Sequence, residues 1–252
     1  MIKFLTNLIM RLILLMTCNV DNSALKAVPG QGPMILVGNH INFLDVLTAL
    51  TFSYPRKVFF LVKKETFETP FLRILFNAWG SIPVARGTAD LKALKNALDV
   101  LDQGHFFIIS PEGTRTKDGR LIKAHAGIVV IALKSKAAIM PIVQYGGEKF
   151  SENFKKLRRT NITMQVGAPF MISPGSRYPD KKERNLIADE IMYQMAKLLP
   201  EKYRGYYSDL SKATTDYLNF DLPANKSIHQ TWLHRAANVI RKYFSPAKDP
   251  AA

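Results

Sequence analysis

The sequence predicts an α/β fold: a single domain of βα repeats with a mixed sheet flanked by helices, preceded by an N-terminal membrane-associating helix and followed by a helical C-terminal tail. Three observations support this prediction. Apolar runs of four to six residues alternate with longer stretches in which apolar residues recur at three- and four-residue intervals. The connections between them are short. The 252 residues, 47% of them hydrophobic, are enough for one large core.

The N-terminal region, residues 1–27, begins with eighteen mostly apolar residues, MIKFLTNLIMRLILLMTC. This stretch is short for a bilayer core of about 30 Å and carries Arg11 near its middle, so a transmembrane span is disfavoured. A signal peptide is also disfavoured, because no small-x-small cleavage site follows. We expect a helix that lies in a membrane surface, with an amphipathic helix packed on the domain as the alternative.

Residues 28–199 are expected to form the α/β domain. The predicted strands cover 34–37, 58–62, 81–84, 106–109, 138–143 and 161–166. The predicted helices cover 43–52, 65–79, 90–103, 127–133 and 182–199. The helix over 90–103 has a clear helical period, with leucines at 91, 94, 98 and 101.

Residues 200–252 form the predicted tail, in which aromatic residues lie among scattered charges. Within it, residues 232–243 (WLHRAANVIRKY) can form an amphipathic helix. This composition suits a membrane interface and packing against the domain almost equally. A separate basic run, KKLRR at 155–159, lies in a connection between predicted strands, where it is either a contact for an anionic membrane or a solvated loop.

The composition favours an anionic partner. Thirty-five Lys and Arg against twenty Asp and Glu give a net charge of +15, which suits nucleic acid, phospholipid head groups or a phosphorylated substrate. Cys18 is the only cysteine, so a disulfide framework and a cysteine-based metal cluster are excluded, and a reducing compartment is compatible.

The stretch GNHINFLD at 38–45 follows a predicted buried strand, so His40 falls in a strand-to-helix turn, where α/β proteins display reactive side chains. If Asp45 lies on the first turns of the helix, its carboxylate can hold one ring nitrogen as N–H and leave the other as a base. No serine or cysteine in the turn supplies a nucleophile, so an activated hydroxyl would belong to a substrate. From this stretch alone, a structural histidine beside an early-helix aspartate is an equal alternative.

Two further strand ends carry residues suited to a phosphate. Arg86 follows a short predicted strand and offers a guanidinium fork. The loop after the predicted strand 106–109 holds three such residues. Gly113 lets backbone N–H groups approach an anion, Thr114 adds a hydroxyl and Arg115 adds charge. Because a carboxylate repels a phosphate, we assign Glu112 a positioning role: it orients one of the two arginines or accepts a hydrogen bond from a substrate hydroxyl. Alone, such a loop is equally an ordinary turn with a surface ion pair.

Four blocks occur in one order within about one hundred residues: Asn-His-x4-Asp at 39–45, Ile-Pro-Val-x-Arg at 82–86, Pro-Glu-Gly-Thr-Arg at 111–115 and Met-Pro-Ile-Val at 140–143. This combination resembles the glycerophospholipid acyltransferase family, in particular its 1-acylglycerol-3-phosphate acyltransferases, and the resemblance covers roughly residues 34–167. It implies a catalytic pair, His40 with Asp45. It also implies contacts to the acceptor's phosphate and glycerol from Arg86, Glu112, Gly113, Thr114 and Arg115.

The implied reaction is the transfer of a fatty acyl group from a thioester, carried by CoA or acyl carrier protein, to the free hydroxyl of 1-acylglycerol 3-phosphate, which gives phosphatidate. The block around Pro141 would shape the acyl-donor side. No cofactor and no metal is implied. We expect the protein to work on an anionic membrane surface at the cytoplasmic face, and we expect no nucleic-acid partner because the sequence has no recognised nucleic-acid motif.

Two departures from the family's pattern bear on the acceptor. Asn42 stands where a serine is common, and AHAG at 124–127 stands where relatives often carry a lysine-glycine pair. The alternatives are therefore an acyltransferase for glycerol 3-phosphate, a lysophospholipid or a glycolipid, and, from another class, a non-catalytic basic module that binds membranes or nucleic acid. His105 and His125 are expected to be surface or strand-edge histidines.

Overall fold

A seven-stranded sheet forms the centre of the computed structural model, which describes residues 2–85, 90–176 and 178–222. Its strands are β1 (Cys18–Asp21), β2 (Met34–Val37), β3 (Val58–Lys63), β4 (Ser81–Val84), β5 (Phe106–Ile109), β6 (Ala138–Tyr145) and β7 (Thr160–Val166). They lie in the order β1-β7-β6-β2-β5-β3-β4, in which β6 and β7 are antiparallel and the other neighbours parallel. The short strands β8 (Met171–Ile172) and β9 (Leu218–Asn219) form a separate antiparallel pair. The predicted α/β class with a mixed sheet is confirmed.

Helices cover both faces of the sheet. They are α1 (Ile2–Thr17), α2 (Leu44–Ser53), α3 (Pro70–Ala78), α4 (Leu91–Asp102), α5 (Gly127–Ser135), α6 (Phe150–Lys155) and α7 (Lys181–Leu198). Ile35 and Val37 of β2 belong to a core cluster with α4, α5 and α7, whereas Met34 and Leu36 belong to one with α2 and the 3₁₀ helix Ser23–Ala27. Because β2 is buried on both faces, all four of its residues are apolar.

The position of β2 in the sheet determines where the candidate site lies. β2 pairs in parallel with β5 on one side and with β6 on the other. The chain leaves β2 at Gly38, where an added Cβ would lie 3.0 Å from the carbonyl oxygen of Ile142. The carboxyl ends of these three strands therefore meet at one edge of the sheet, and the turn after β2 lies at that edge.

The predicted helix over 65–79 is interrupted in the structure. A 3₁₀ helix covers Lys64–Glu68, Thr69 is extended at φ −80° and ψ 115°, and α3 begins at Pro70. The proline explains the interruption, because its ring disfavours helical geometry in the residue before it. The prediction of one continuous helix is therefore wrong at Thr69.

Strand β1 lies inside the segment that the sequence analysis assigned to the N-terminal region. It pairs in parallel with β7, with Cys18 opposite Thr160. The strand has four residues and two of them are polar, so no apolar run marks it. The N-terminal region thus contributes an edge strand to the sheet.

Helix α1 buries one side and exposes the other. Leu14 is buried against Leu44 and Ile162, and Nδ2 of Asn7 donates to the carbonyl of Thr51 at 3.1 Å. Eight apolar side chains are between 43% and 77% exposed: Phe4, Leu5, Leu8, Ile9, Leu12, Ile13, Leu15 and Met16. No helix in the described parts of the chain is both long enough and apolar enough to span a bilayer.

The described part of the predicted tail, residues 200–222, packs on the domain. Tyr203 and Tyr207 are buried in the main core. The Tyr207 hydroxyl donates to Asp189 at 2.7 Å and accepts from the backbone N–H of Ala124 at 3.1 Å. The helix predicted over 232–243 lies outside the described residues.

The backbone after β6 gives a stability test. Gly146 has φ +94°, and a Cβ added there would collide with the carbonyl oxygen of Asn161. Gly104 has φ +77°, but a Cβ added there would meet no atom within 4 Å. We expect Gly104→Ala to lower the free energy of unfolding by about 1 kcal/mol through backbone strain alone. Gly146→Ala should cost about 1 to 3 kcal/mol more, because the collision is added. Urea denaturation of both variants measures this, and equal losses would contradict the collision.

Candidate active site

The Asp45 carboxylate lies at the centre of the turn between β2 and α2. Its Oδ2 lies 2.9 Å from Nδ1 of His40, a distance that fits an N–H donated by the ring, and it accepts from the backbone N–H groups of Ile41 and Asn42. Its Oδ1 accepts from the side-chain amide of Gln144. Asp45 is buried. Four donors therefore fix the carboxylate, and the carboxylate in turn fixes the His40 ring.

His40 presents its second ring nitrogen to a cavity. Because Nδ1 faces Asp45, Nε2 is the atom available to act as a base, and it makes no hydrogen bond with the described residues. The His40 side chain is 15% exposed. A histidine with a carboxylate behind it can accept a proton from a hydroxyl bound in front of it.

Gln144, at the carboxyl end of β6, is a site residue that the sequence analysis did not identify. Besides donating to Asp45, its amide accepts from the Thr48 hydroxyl at 2.7 Å. Its backbone exchanges two hydrogen bonds with the side chain of Asn39, at 2.8 and 2.9 Å. These contacts join the ends of β2 and β6 beside the histidine. The sequence offers one sign of this role: Gln144 is a polar residue directly after the apolar run at 138–143.

Glu112 supports the same turn from the β5 side. Glu112 is 1% exposed, and its carboxylate accepts from the backbone N–H of His40 at 2.8 Å, from the N–H of Ile122 at 3.2 Å and from the Ser110 hydroxyl at 3.3 Å. Burial raises the pKa of Glu112 to about 7, although these hydrogen bonds partly offset the effect. Because the carboxylate contacts the His40 turn, the expected orientation of Arg115 by Glu112 is not observed.

Three of the other residues predicted to contact the acceptor, Gly113, Thr114 and Arg115, follow Glu112 at the protein surface. Gly113, at φ +67°, borders the cavity. Thr114 and Arg115 are exposed, and the Arg115 side chain makes no hydrogen bond or ion pair with the described residues. Arg86 lies outside the described residues. The structure thus brings Glu112 and Gly113 to the His40–Asp45 pair and leaves Arg115 in solvent.

The loop that carries these residues is held on two sides. The backbone N–H of Thr116 donates to the carbonyl of His40 at 2.8 Å. The N–H of Leu121 donates to the carbonyl of Tyr203 at 2.9 Å, and the Leu121 carbonyl accepts from the N–H of Tyr206 at 2.8 Å. The loop is therefore tied to the His40 turn on one side and to the C-terminal segment on the other.

A cavity of about 630 Å³ lies beside the pair, at the carboxyl ends of the strands. Its wall is mostly apolar and includes Val46, Ala49 and Leu50 of α2 with Phe60 and Ile108 of the sheet. None of its described lining residues is Lys or Arg. The cavity therefore suits an apolar chain better than a phosphate.

The two histidines near the motifs have different surroundings. His125 is exposed and borders the cavity beside Gly113, so the expectation of a surface histidine is confirmed for it. His105 stacks on Phe59 at 5.4 Å between ring centres and is not among the lining residues. Among the described residues, no group of three or more His, Cys, Asp or Glu is arranged to hold a metal ion.

The fold and the turn define a class of α/β proteins that carry a histidine-aspartate pair at the carboxyl edge of a mixed sheet. A family model described as Acyltransferase matches residues 19–145, which is half of the chain. The chain therefore belongs to the acyltransferase family.

Among its relatives are proteins named 1-acyl-sn-glycerol-3-phosphate acyltransferase. The Bacillus subtilis protein is 27% identical over 202 residues, covering 80% of this chain and 98% of the relative. The Borreliella burgdorferi protein is 32% identical over 176 residues, covering 67% and 68%. The chloroplastic protein of Arabidopsis thaliana is 33% identical over 119 residues, but the match spans 46% of this chain and only 33% of that relative.

A solved structure supports the fold. The crystal structure of the 1-acyl-sn-glycerophosphate acyltransferase PlsC from Thermotoga maritima superposes with a TM-score of 0.53 at 21% identity, covering 73% of this chain and 72% of that one. At this identity the likeness establishes the fold alone.

The burial of Glu112 makes stability depend on pH. Since its pKa in the folded protein is raised from 4.5 to about 7, the folded state holds the proton more tightly than the unfolded chain. The stabilisation is complete below pH 4.5 and is lost as the pH rises through 7. The unfolding free energy of the wild type minus that of Glu112→Gln should fall by about 3 kcal/mol between pH 4 and pH 8. Urea titrations of both proteins test this, and a constant difference would refute it.

Proposed function

We propose that the protein moves a fatty acyl group from a thioester, carried by CoA or acyl carrier protein, to the free hydroxyl of 1-acylglycerol 3-phosphate, and so forms phosphatidate. The observation that carries the proposal is the His40–Asp45 pair in the wall of an apolar cavity. The names of the Bacillus and Borreliella relatives, which match most of the chain, support the same acceptor.

In this reaction, Nε2 of His40 removes the proton of the acceptor hydroxyl as the hydroxyl oxygen attacks the thioester carbon. Asp45 holds the ring and stabilises the imidazolium that forms. When the tetrahedral intermediate collapses, the C–S bond breaks and the imidazolium returns the proton to the leaving thiolate. The transfer is direct, because the turn at 38–45 offers no serine or cysteine to carry the acyl group.

The cavity would hold the acyl chain of the donor. Its volume of about 630 Å³ lies in the range of ordinary ligand pockets, and its wall is mostly apolar. Each buried methylene contributes about 0.8 kcal/mol. Burial of the chain would thus keep the thioester carbonyl next to His40, which converts binding energy into orientation.

The phosphate of the acceptor would bind outside the apolar wall. Gly113, Thr114 and Arg115 form an exposed loop that starts at the cavity, and the Arg115 guanidinium is available there. Arg86 is proposed as a second phosphate ligand on the family resemblance alone. Glu112 would act by fixing the backbone of His40, because its carboxylate is buried against that turn.

The enzyme would work on an anionic membrane surface at the cytoplasmic face. The exposed apolar side of α1 suits insertion between head groups, and the net charge of +15 suits anionic lipid. A chain with one cysteine fits a reducing compartment.

Removal of the base tests the chemistry. We expect His40→Ala to abolish detectable acyl transfer and Asp45→Asn to lower it by about 10⁴-fold, because the first removes proton abstraction and the second the control of the tautomer. The measurement is thiol release from a long-chain acyl-CoA by the detergent-solubilised protein, with and without 1-acylglycerol 3-phosphate. His105→Ala is the matched control and should keep wild-type turnover, because His105 does not line the cavity.

Other results of this assay are equally informative. Thiol release that needs no acceptor and persists in His40→Ala would refute the mechanism. Faster release with glycerol 3-phosphate, or with a lysophospholipid that carries a head group, would replace the proposed acceptor. Membrane binding without turnover of any thioester would favour a non-catalytic module.

Removal of one arginine tests the acceptor site. We expect Arg115→Ala to raise the KM for 1-acylglycerol 3-phosphate by about 10- to 100-fold and to leave the KM for acyl-CoA unchanged, because a charged hydrogen bond to the phosphate is lost. Arg120→Ala removes an exposed arginine from the same loop, where it pairs with Asp118 at 3.9 Å, and should change neither KM. Equal effects of the two variants would exclude Arg115 from the site.

A further inference from the structure

The end of α6 and the turn after it display apolar side chains to solvent. Leu157 is 95% exposed and Phe154 is 55% exposed. Leu157 has φ +53°, in the left-handed region that bulky residues rarely adopt. We call residues 154–158 the α6 tip. Two large apolar residues exposed within one five-residue segment form a patch of the kind that marks an interaction site.

The α6 tip is held in this conformation. The backbone N–H of Leu157 donates to the carbonyl of Phe154 at 3.1 Å, and the N–H of Arg158 donates to the carbonyl of Asn153 at 2.9 Å. The side chain of Asn153 bonds to Thr160, the first residue of β7, at 3.2 Å. The turn therefore presents Leu157 outward from a base fixed to the sheet.

Basic residues surround the apolar ones. Lys155 and Arg158 of the tip make no side-chain hydrogen bond or ion pair with the described residues, whereas Lys156 pairs with Glu152 at 2.6 Å. The next residue, Arg159, donates to the carbonyl oxygen of Cys18 through both Nε and Nη2. Two cations beside exposed apolar side chains match an anionic lipid surface, where head groups neutralise charge and acyl chains cover apolar atoms.

The tip lies beside two elements already described. Arg159 binds the carbonyl oxygen of Cys18, the residue directly after α1. Near this end of α1, Met16 is 77% exposed. In the other direction, Phe154 stacks on Phe150 at 5.7 Å, and Phe150 meets the ring of Phe43 edge-on at 5.6 Å. Phe43 belongs to the catalytic turn and is 47% exposed. The aromatic contacts thus connect the tip to the residues around His40.

We propose that the α6 tip is a second membrane contact, which inserts Leu157 and Phe154 between the head groups of an anionic bilayer while Lys155 and Arg158 bind lipid phosphates. This inference rests on the proposed function, in which the enzyme takes its acceptor from the membrane. The tip, Phe43 and the end of α1 would then meet the bilayer together, so that the catalytic turn faces the lipid surface.

The first experiment locates the tip. A single cysteine is introduced in the full-length protein by Leu157→Cys and labelled with a polarity-sensitive fluorophore, since Cys18 is buried. With vesicles of phosphatidylcholine and 30% phosphatidylglycerol, we expect a blue shift and quenching by brominated acyl chains. Leu186→Cys on α7 is the control at an exposed leucine and should show neither. Equal behaviour of the two probes would overturn the proposal.

The second experiment tests the charges. The double variant Lys155→Gln, Arg158→Gln should bind the anionic vesicles about 10- to 30-fold more weakly than wild type, since each basic residue near such a surface contributes about fivefold. Lys181→Gln, Lys182→Gln removes the same charge from the start of α7 and should bind as wild type does. If both double variants bound the vesicles equally weakly, net charge alone would explain the effect, and the assignment of the lipid contact to the tip would be overturned.

Turnover separates this inference from the proposed function. In detergent with 1-acylglycerol 3-phosphate, the Lys155→Gln, Arg158→Gln variant should release thiol at the wild-type rate, and it should slow only on vesicles. Wild-type turnover with unchanged vesicle binding in the variant would refute the tip but leave the function intact. If the wild-type protein released no thiol, the proposed function would be refuted. The fluorophore at position 157 would still report whether the tip inserts into the bilayer. Self-association of the protein that depends on Leu157 in sedimentation would assign the tip to a second copy instead.

Discussion

A buried carboxylate is stable only where hydrogen-bond donors converge on it, and the turn after β2 is shaped by this requirement at Asp45. Two of its donors are backbone N–H groups of the turn itself, and a third is the His40 ring. The fourth comes from Gln144, on a different strand. The orientation of the histidine therefore depends on local turn geometry and on the register of β6 beside β2 at the same time.

The polar groups around the pair mostly act through the backbone. Glu112 accepts from the N–H of His40, and Thr116 donates to the carbonyl of the same residue, so the peptide groups on both sides of His40 are fixed by the loop after β5. Tyr203 and Tyr206 hold the far end of that loop at Leu121. The His40 turn, the loop and the C-terminal segment thus form one connected support, in which each part fixes the next.

Local pattern predicted much of this architecture. The strands over 34–37, 81–84 and 106–109 have the predicted bounds. The first and the third are continuous apolar runs, as central strands of a sheet usually are. The proximity of His40 and Asp45 was predictable because both lie in one turn. The contacts of Gln144 and Glu112 were not, since they depend on the strand order β5-β2-β6, which no short-range pattern encodes. β1 was missed for the same reason: its partner β7 lies 142 residues away.

The distribution of these contacts along the chain sets the order in which the site can form during synthesis. His40 and Asp45 leave the ribosome before their partners, Gln144 follows about a hundred residues later, and Tyr203 later still. Contacts between such distant residues close slowly and only after both partners have emerged. A nascent chain therefore carries its histidine without the groups that orient it, and the complete site appears only when translation has passed residue 206.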